Sequence, residues 1–579
     1  MQYNAPEHMT TNTKFKRHRN SAGLALIGTL AIATAWSQTK PATTVPPPAH
    51  LEKRGAATQL IVDGKPFLVL AGELTNTAAS SPEHMKTVWP HLVKVGLNTV
   101  LAPIAWAWIE PQEGKFDFTF ADNVIRDARA NHMRIAWLWF GSWKNGLTNF
   151  APVWVMANQD RFPRAQLAGG HTVEVLSTLS EANRAADAKA FAAFMRHIRE
   201  GDSPARTTIM VQLENEVGLI GDSRDRSALA NEAFARPVPK ELTDYLQAHK
   251  DSLLPETRKV WDAAGARTSG TWEQVFGAGA GRADEVFMAW NYSRYIGKVA
   301  EAGKAEYPVP MYVNAWIVQP EDKGPGDYPS GGPQAHMHDI WRAGGPQIDM
   351  LSPDSYSDTD FVAFCAKYTQ SGNPLFIPEN MGGPDGAARV LYVFGRHDAI
   401  GWTVMGIEDP KLTHPDLDLI ESFDLLTQTA PLIAGHQGNG TMSAVILRGP
   451  SDPPQQIKLG DYIFTVSFYQ MPKMFGVPPP KEPLPPAAAI FIAVGPDEFY
   501  AIGGGVSVTF APSTPGPPLA ALGDIEEGAF VNGKWVAGRR LNGDDSDEGN
   551  FLMLQRPTGC CWPGTLTKGI QHFTLYRYR

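Results

Sequence analysis

The stretch Ile209-Met210-Val211-Gln212-Leu213-Glu214-Asn215-Glu216-Val217-Gly218 decides the fold. Its apolar first half is typical of a parallel strand buried on both faces, and the carboxylates and amides that follow indicate that the strand ends at a pocket. The stretch Pro374-Leu375-Phe376-Ile377-Pro378-Glu379-Asn380 repeats this design later in the chain. Two apolar strands that each end in a carboxylate beside an amide predict a paired-carboxylate enzyme.

Six further apolar runs extend this pattern on both sides. Together the predicted strands lie at 67–71, 99–102, 134–139, 208–213, 311–314, 349–352, 375–378 and 401–405. Helical patterns separate them, at 81–95, 120–131, 182–200 and 283–305. Alternation of strands with helices predicts an α/β fold, and eight such strands predict a (β/α)₈ TIM barrel. The longest insertion, at 218–281, follows the fourth strand and is expected to wall the cleft.

The chain of 579 residues is too long for one core and is expected to divide into domains. Residues 1–37 combine a basic segment, a short apolar run and a small-residue cleavage site, which predicts a signal peptide and export to the periplasm or the extracellular space. The Pro- and Thr-rich residues 38–55 are predicted to form a flexible lead-in, and 56–434 the barrel. Short alternating runs between Gly and Pro clusters at 435–579 predict a C-terminal antiparallel β-sandwich of the jelly-roll type.

Composition excludes several classes of partner. The net charge is −9 and no basic cluster interleaved with aromatics follows residue 55, so nucleic acid is not expected as a partner. No later apolar segment is long enough for stable membrane insertion. The 15 His form no ligand cluster at strand ends and no cofactor fingerprint occurs, so neither a metal nor a cofactor is expected. Cys365, Cys560 and Cys561 match no disulfide framework, and the sequence leaves open whether the chain forms a homo-oligomer.

In a barrel, Glu216 would close the fourth strand and Glu379 the seventh, so both would face one mouth. Two-carboxylate glycoside hydrolysis requires such a pair, with one group protonated and the other ionised. Polar and aromatic side chains recur at the other strand ends, which suits a sugar, although each tryptophan could equally be a core residue. These candidates are Glu73, Trp106, Trp108, Glu110, Trp137, Trp139, Trp143, Asn314, Trp316, Asp354, Tyr356 and Trp402.

Two motifs carry a resemblance to known families. Gly96-Leu97-Asn98-Thr99-Val100, leading to Trp108-Ile109-Glu110-Pro111-Gln112-Glu113-Gly114-Lys115-Phe116-Asp117-Phe118, is similar to the second-strand signature of retaining β-galactosidases of glycoside hydrolase families 35 and 42. Gln212-Leu213-Glu214-Asn215-Glu216-Val217-Gly218 resembles the acid/base motif of family 35, Gln-x-Glu-Asn-Glu-Tyr-Gly, with Val217 in place of Tyr. The resemblance implies that Glu216 is the acid/base, that Asn215 contacts the sugar 2-hydroxyl and that Glu379 is the nucleophile.

The preferred hypothesis is therefore an exported, exo-acting, retaining β-galactosidase that acts on a carbohydrate. Other sugars stay open, so a β-glucosidase, β-xylosidase, arabinosidase or endoglucanase of the same mechanism is the alternative. Glu214 competes with Glu216 for the acid role but lacks the preceding Asn. A non-catalytic carbohydrate-binding protein on a degenerate barrel is the alternative from another class, because a fold alone does not fix activity.

Overall fold

The computed structural model describes residues 47–202, 205–356, 360–409, 417–469, 484–543, 546, 549, 551–554, 556–557 and 566–579. The predicted signal peptide, the first half of the predicted lead-in (38–46), Cys560 and Cys561 lie outside these residues. A three-stranded antiparallel sheet of β1 (His50–Arg54), β2 (Ala57–Val62) and β3 (Lys65–Pro66) comes first. The end of the predicted lead-in is thus a strand instead of a flexible segment. Its pattern was missed because β1 has one strongly apolar residue, Leu51, and gains order by pairing with the buried β2.

Eight parallel strands form one sheet. They are β4 (Val69–Glu73), β5 (Thr99–Ala105), β6 (Arg134–Lys144), β9 (Thr208–Asn215), β10 (Met311–Ala315), β11 (Met350–Pro353), β12 (Phe376–Ile377) and β13 (Gly401–Met405). Their order in the sheet is β11-β10-β9-β6-β5-β4-β13-β12. All the predicted barrel strands are confirmed, and the TIM-barrel fold with them. A small antiparallel hairpin of β7 (Arg164–Gln166) and β8 (Thr172–Leu176) follows β6.

The barrel closes between β11 and β12, the two strands at the ends of this order. A bridge joins Ser355 to Asn380, in which the Ser355 N–H donates to the Glu379 carbonyl at 2.9 Å. At the other end of the seam, the Asn373 side chain accepts from the Leu351 N–H at 3.2 Å and donates to the Leu351 carbonyl at 2.9 Å. A side-chain amide can imitate a backbone partner in this way, so the seam is closed although β12 is short.

Helices cover the outside of the barrel, and the predicted helical segments are confirmed. Helix α1 (Pro82–Val95) shows the local signals: Ser81 caps its first turn by accepting from the His84 N–H, and Gly96 ends it at φ 84°. The other helices are α2 (Trp106–Ile109), α3 (Thr119–Ala130), α4 (Val153–Met156), α5 (Glu181–Asp202), α6 (Ala228–Ala235), α7 (Lys240–Ala248), α8 (Pro255–Ala263), α9 (Trp272–Phe276), α10 (Glu285–Glu306), α11 (His338–Gly344), α12 (Phe361–Tyr368), α13 (Gly383–His397) and α14 (Leu417–His436). The predicted insertion at 218–281 therefore contains α6 to α9.

Side chains alternate along each barrel strand between the interior and the helix layer. One buried cluster fills the interior and includes Leu138, Met210, Tyr312 and Phe376. A second, larger cluster lies between strands and helices and includes residues of the opposite parity, such as Trp137. This alternation decides which strand residues can reach the mouth of the barrel.

Beyond α14 the chain forms antiparallel strands, as the sequence predicts for this part of the chain. They are β14 (Met442–Leu447), β15 (Gln455–Leu459), β16 (Tyr462–Phe468), β17 (Ala487–Ala493), β18 (Glu498–Gly504), β19 (Val506–Pro512), β20 (Leu519–Val531), β21 (Lys534–Arg540), β22 (Leu552–Leu554), β23 (Arg556–Pro557), β24 (Leu566–Thr567) and β25 (Gly569–Tyr578). A six-stranded sheet has the order β14-β17-β18-β25-β20-β21, a four-stranded sheet the order β15-β16-β19-β22, and β23 pairs with β24. Phe464, Phe491, Phe499 and Phe573 belong to the buried cluster that the two larger sheets share.

None of the helices in the described part of the chain has the length and apolar character that a membrane span requires.

Candidate active site

The ends of β9 and β12 bring Glu216 and Glu379 to one place. One carboxylate oxygen from each of Glu216, Asp354 and Glu379 lies within 4.8 Å of the others. Both glutamates are nearly enclosed, with exposed fractions of 7% and 4%. The backbone leaves β9 sharply: Glu216 has a φ of 45°, and Gly218, at φ 141°, lies where a Cβ atom would be 2.5 Å from Pro329. The turn therefore aims the Glu216 side chain at Glu379.

Hydrogen-bond donors surround the Glu379 carboxylate. Its Oε1 atom accepts from Asn215 Nδ2 at 2.9 Å and from Asn314 Nδ2 at 3.0 Å. Its Oε2 atom accepts from the Tyr356 hydroxyl at 2.6 Å. These bonds fix the carboxylate in one orientation, and they place the predicted residues Asn215, Asn314 and Tyr356 in contact with it.

The Glu216 carboxyl is held in a different electrostatic state. Burial of the group and the charge of Glu379 together raise the pKa of Glu216 to about 8, against the opposing charge of Lys144 and a hydrogen bond with Asp354. Burial and the charges of Glu379 and Glu216 also raise the pKa of Asp354. With a pKa of about 8, Glu216 keeps its proton at neutral pH, which is the state that a general acid needs.

Lys144 and Asp354 complete the site. Lys144 is 7% exposed, and its Nζ atom donates to Asn215 Oδ1 at 2.7 Å. Sequence reasoning missed it because the third strand was predicted to end at 139, whereas β6 continues to Lys144 and carries that residue into the mouth. Glu73, at the end of β4, is also buried here. Burial and the charge of Glu379 raise the pKa of Glu73, so this predicted site residue lies beside the pair.

Several predicted sugar-binding residues are instead core residues. Trp139 packs on Phe191 and Phe194 of α5, Trp143 on Tyr292 and Tyr295 of α10, and Trp402 near Phe361 of α12. The three tryptophans are each at most 1% exposed. Trp139 and Trp402 have the strand parity that points to the helix layer, which explains the correction.

The residues that follow β5 are also structural. Glu110 accepts from Trp106 Nε1 at 3.0 Å and from the Gly114 N–H at 2.7 Å, so its carboxylate holds its own turn together. Trp108 packs against Phe120 and Phe150. These contacts give Glu110 and Trp108 a structural role, and their roles in sugar binding stay predictions. Trp316, directly after β10, is half-buried, and its role stays a prediction.

Glu214, the rival candidate for the acid, faces away from the mouth. Its Oε2 atom accepts from the Trp143 N–H at 2.7 Å, and its carboxyl pairs with the buried Asp187 of α5. Burial raises the pKa of both acids; the charge of Asp187 and the hydrogen bond to it raise that of Glu214 further, whereas hydrogen bonds with Glu214, Ser142 and Trp139 oppose the rise at Asp187. Glu214 therefore holds the shared proton and does not reach Glu379.

A cation could in principle lie between Glu216, Asp354 and Glu379, whose oxygens are close enough to share one. Yet both Glu379 oxygens already accept hydrogen bonds from protein donors. The arrangement therefore fits a pair of acids oriented by two amides and a phenol, and it fits a metal-binding site less well.

Two family profiles match parts of the chain. The glycoside hydrolase family 42 profile, described as beta-galactosidase, matches residues 79–275, and a profile described as a domain of unknown function (DUF5597) matches residues 419–553. The predicted resemblance to family 42 is thereby confirmed over the part of the barrel that contains Glu216. The chain is also 36% identical over 73 residues to Beta-galactosidase 11 of Arabidopsis thaliana, which corresponds to 12% of this chain and 8% of the plant protein.

Solved structures with a similar fold include two β-galactosidases and one β-amylase domain. The β-galactosidase from Bacillus circulans sp. alkalophilus has 15% identity and a TM-score of 0.42, and the match covers 63% of this chain and 57% of that one. The β-galactosidase from Rahnella sp. R3 has 15% identity and a TM-score of 0.41, with the same coverage of 63% and 57%. The catalytic domain of β-amylase from Paenibacillus polymyxa has 13% identity and a TM-score of 0.40, with coverage of 59% and 92%.

The pair of Glu214 and Asp187 predicts an unusual pattern of tolerance. Glu214→Gln should leave the melting temperature nearly unchanged, because an amide can donate to Asp187 and still accept from the Trp143 N–H. Glu214→Leu should lower the free energy of unfolding by roughly 3–5 kcal/mol, because it leaves a buried carboxylate without its partner. Thermal and urea denaturation would measure both. Glu321→Leu at an exposed site is the control, and equal destabilisation by Gln and Leu at position 214 would contradict the shared proton.

Proposed function

We propose that the chain is an exported, exo-acting β-galactosidase that retains anomeric configuration. The observation that carries this proposal is that one carboxylate oxygen of Glu216 lies within 4.8 Å of one of Glu379, with Asp354 equally near to both. In retaining glycosidases the two carboxyl groups are about 5–5.5 Å apart, whereas inverting enzymes need about 6.5–9.5 Å to admit a water. The enclosure of both acids supports action on a terminal sugar that enters the pocket end first.

In the proposed mechanism, Glu379 attacks the anomeric carbon and forms a covalent glycosyl–enzyme. Glu216 transfers its proton to the leaving oxygen as the glycosidic bond breaks. The resulting Glu216 carboxylate then takes a proton from water, and the water oxygen displaces Glu379 from the sugar. Asn215, which donates to Glu379 Oε1 in the free enzyme, is positioned to donate to the sugar 2-hydroxyl once substrate is bound.

The choice of β-galactoside as substrate rests on the family 42 match at residues 79–275. That match includes the strand that carries Glu216 but not Glu379, and the chain spans 57% of the first β-galactosidase structure above. Export rests on the basic and apolar segments within residues 1–37, and it places the enzyme where oligosaccharides or cell-wall fragments are accessible.

Replacing the acid should separate substrates by their leaving groups. Glu216→Ala is expected to slow lactose hydrolysis roughly 10²–10⁴-fold, because the leaving oxygen then departs without a proton. It should slow 2,4-dinitrophenyl β-galactoside far less, since that leaving group needs no proton. Steady-state kinetics on both substrates measure the difference, and equal losses on both would contradict the acid role.

The same assay decides the sugar. Nitrophenyl β-galactoside should give a higher kcat/KM than the gluco, xylo and arabino versions, and NMR of the first product should show the β-anomer. A higher kcat/KM for another sugar would contradict β-galactoside as the substrate and would identify that other glycoside instead. Glu379→Gln, which removes the proposed nucleophile and preserves side-chain shape, should be inactive on every member of the panel.

The pH profile should report Glu216 and its neighbour Lys144. Because Glu216 must be protonated to act as the acid, kcat/KM should fall as the pH rises through about 8. Lys144→Met removes the ammonium that lowers the pKa of Glu216, so the alkaline limb of the pH profile of kcat/KM should move to higher pH. It also removes the hydrogen bond to Asn215, so kcat should fall. Lys144→Arg keeps the charge and should keep the limb near its wild-type position. An unmoved limb in Lys144→Met would contradict this electrostatic role.

A further inference from the structure

A cavity of about 600 Å³ lies outside the acid pair. Helix α8, the end of α9, the start of α10 and the segments 323–328 and 336–340 line it, and none of Glu216, Asn314, Asp354 or Glu379 does. This volume falls in the range of small-molecule sites. The cavity is therefore a second candidate site, built partly from the insertion that follows the fourth barrel strand and partly from the segments after it.

Most of the cavity wall is apolar. Phe276, Val286, Met337 and Ile340 are each at most 5% exposed, and Val260 of α8 lines the same space. Such a surface favours a ligand with a flat or aliphatic body over one covered in hydroxyls.

Three cations border this apolar space: Lys259, Arg282 and Lys323. Within the described residues, none of their side chains makes a hydrogen bond or an ion pair, although ion pairs are common elsewhere on the chain. Glu256 is the lining carboxylate that likewise has no such partner in the described chain. The unpaired lining charges thus sum to a positive value on a protein whose net charge is −9.

The floor of the cavity contains a satisfied polar group. Glu285 Oε1 accepts from the Tyr328 hydroxyl at 2.9 Å and lies 2.8 Å from His336 Nε2. Burial opposes charging of the imidazole, but the charge of Glu285 and the hydrogen bond to it outweigh burial and raise the pKa of His336. Glu285 Oε1 is therefore engaged by two partners within the floor instead of lying free in the cavity.

We propose that this cavity binds a small organic anion: an aromatic ring that carries a carboxylate. The ring would lie against the apolar wall formed by Phe276, Val286 and Ile340. The carboxylate would meet Arg282, whose planar guanidinium can donate two parallel hydrogen bonds, with Lys259 and Lys323 adding charge. This site is independent of the glycosidase chemistry proposed above.

Isothermal titration of the full chain with benzoate tests the proposal. Benzoate should bind at one site per chain, and acetate, which lacks the ring, and benzyl alcohol, which lacks the charge, should each bind at least about tenfold more weakly. Arg282→Gln and Lys323→Gln should each weaken benzoate binding by roughly tenfold. Lys250→Gln, at an exposed lysine of the same insertion, is the matched control and should change nothing.

Three outcomes would overturn the proposal. They are no measurable benzoate binding, equal weakening by Lys250→Gln and Arg282→Gln, and galacturonate binding as strong as that of benzoate. The titration is repeated with Glu379→Gln and with excess galactose. Benzoate binding that persists there separates this cavity from the acid pair, so its result does not depend on the outcome of the glycosidase assays.

Discussion

The Asn314 side chain ties together the strand ends on which the site depends. Its Oδ1 atom accepts from the Glu216 N–H at 2.9 Å, and its Nδ2 atom donates to Asp354 at 2.8 Å and to Glu379 at 3.0 Å. One amide on β10 thus fixes groups that follow β9, β11 and β12. Because Glu216 has a left-handed backbone at φ 45°, which costs a non-glycine residue about 1–2 kcal/mol, the bond to its N–H helps to hold a conformation that the strand would not adopt alone.

The same hydrogen bond closes the barrel and positions the candidate nucleophile. The seam between β11 and β12 is joined where the Ser355 N–H donates to the Glu379 carbonyl, so the backbone that closes the barrel also positions Glu379. Behind the mouth, the buried Glu214 holds the Trp143 N–H, one residue before Lys144. Buried polar contacts therefore hold the backbone on both β6 and β12, and burial together with the charge of Glu379 raises the pKa of Glu216.

Strand positions followed from the sequence because parallel barrel strands are continuous apolar runs that end in polar residues. The approach of Glu216 and Glu379 followed from barrel geometry alone, since all strands end at one mouth. Side-chain direction did not follow. Trp139 and Trp402 lie near the ends of predicted barrel strands, as sugar-binding tryptophans do. Only the register of each strand shows that they face the helices. Lys144 was missed because its strand continues past the last run that the pattern indicates, and the turn that rotates Glu214 away from Glu216 depends on two left-handed residues that no local signal predicts.

The central claim is that Glu379 is the nucleophile, held against a protonated Glu216. Incubation with a 2-fluoro β-galactoside that carries a good leaving group, followed by peptide mapping, tests it most directly, because the fluorine slows hydrolysis of the covalent intermediate more than its formation. The account predicts one fluorogalactosyl label per chain, on Glu379. A label on Asp354, Glu73 or Glu216, or turnover without any covalent label, would contradict it.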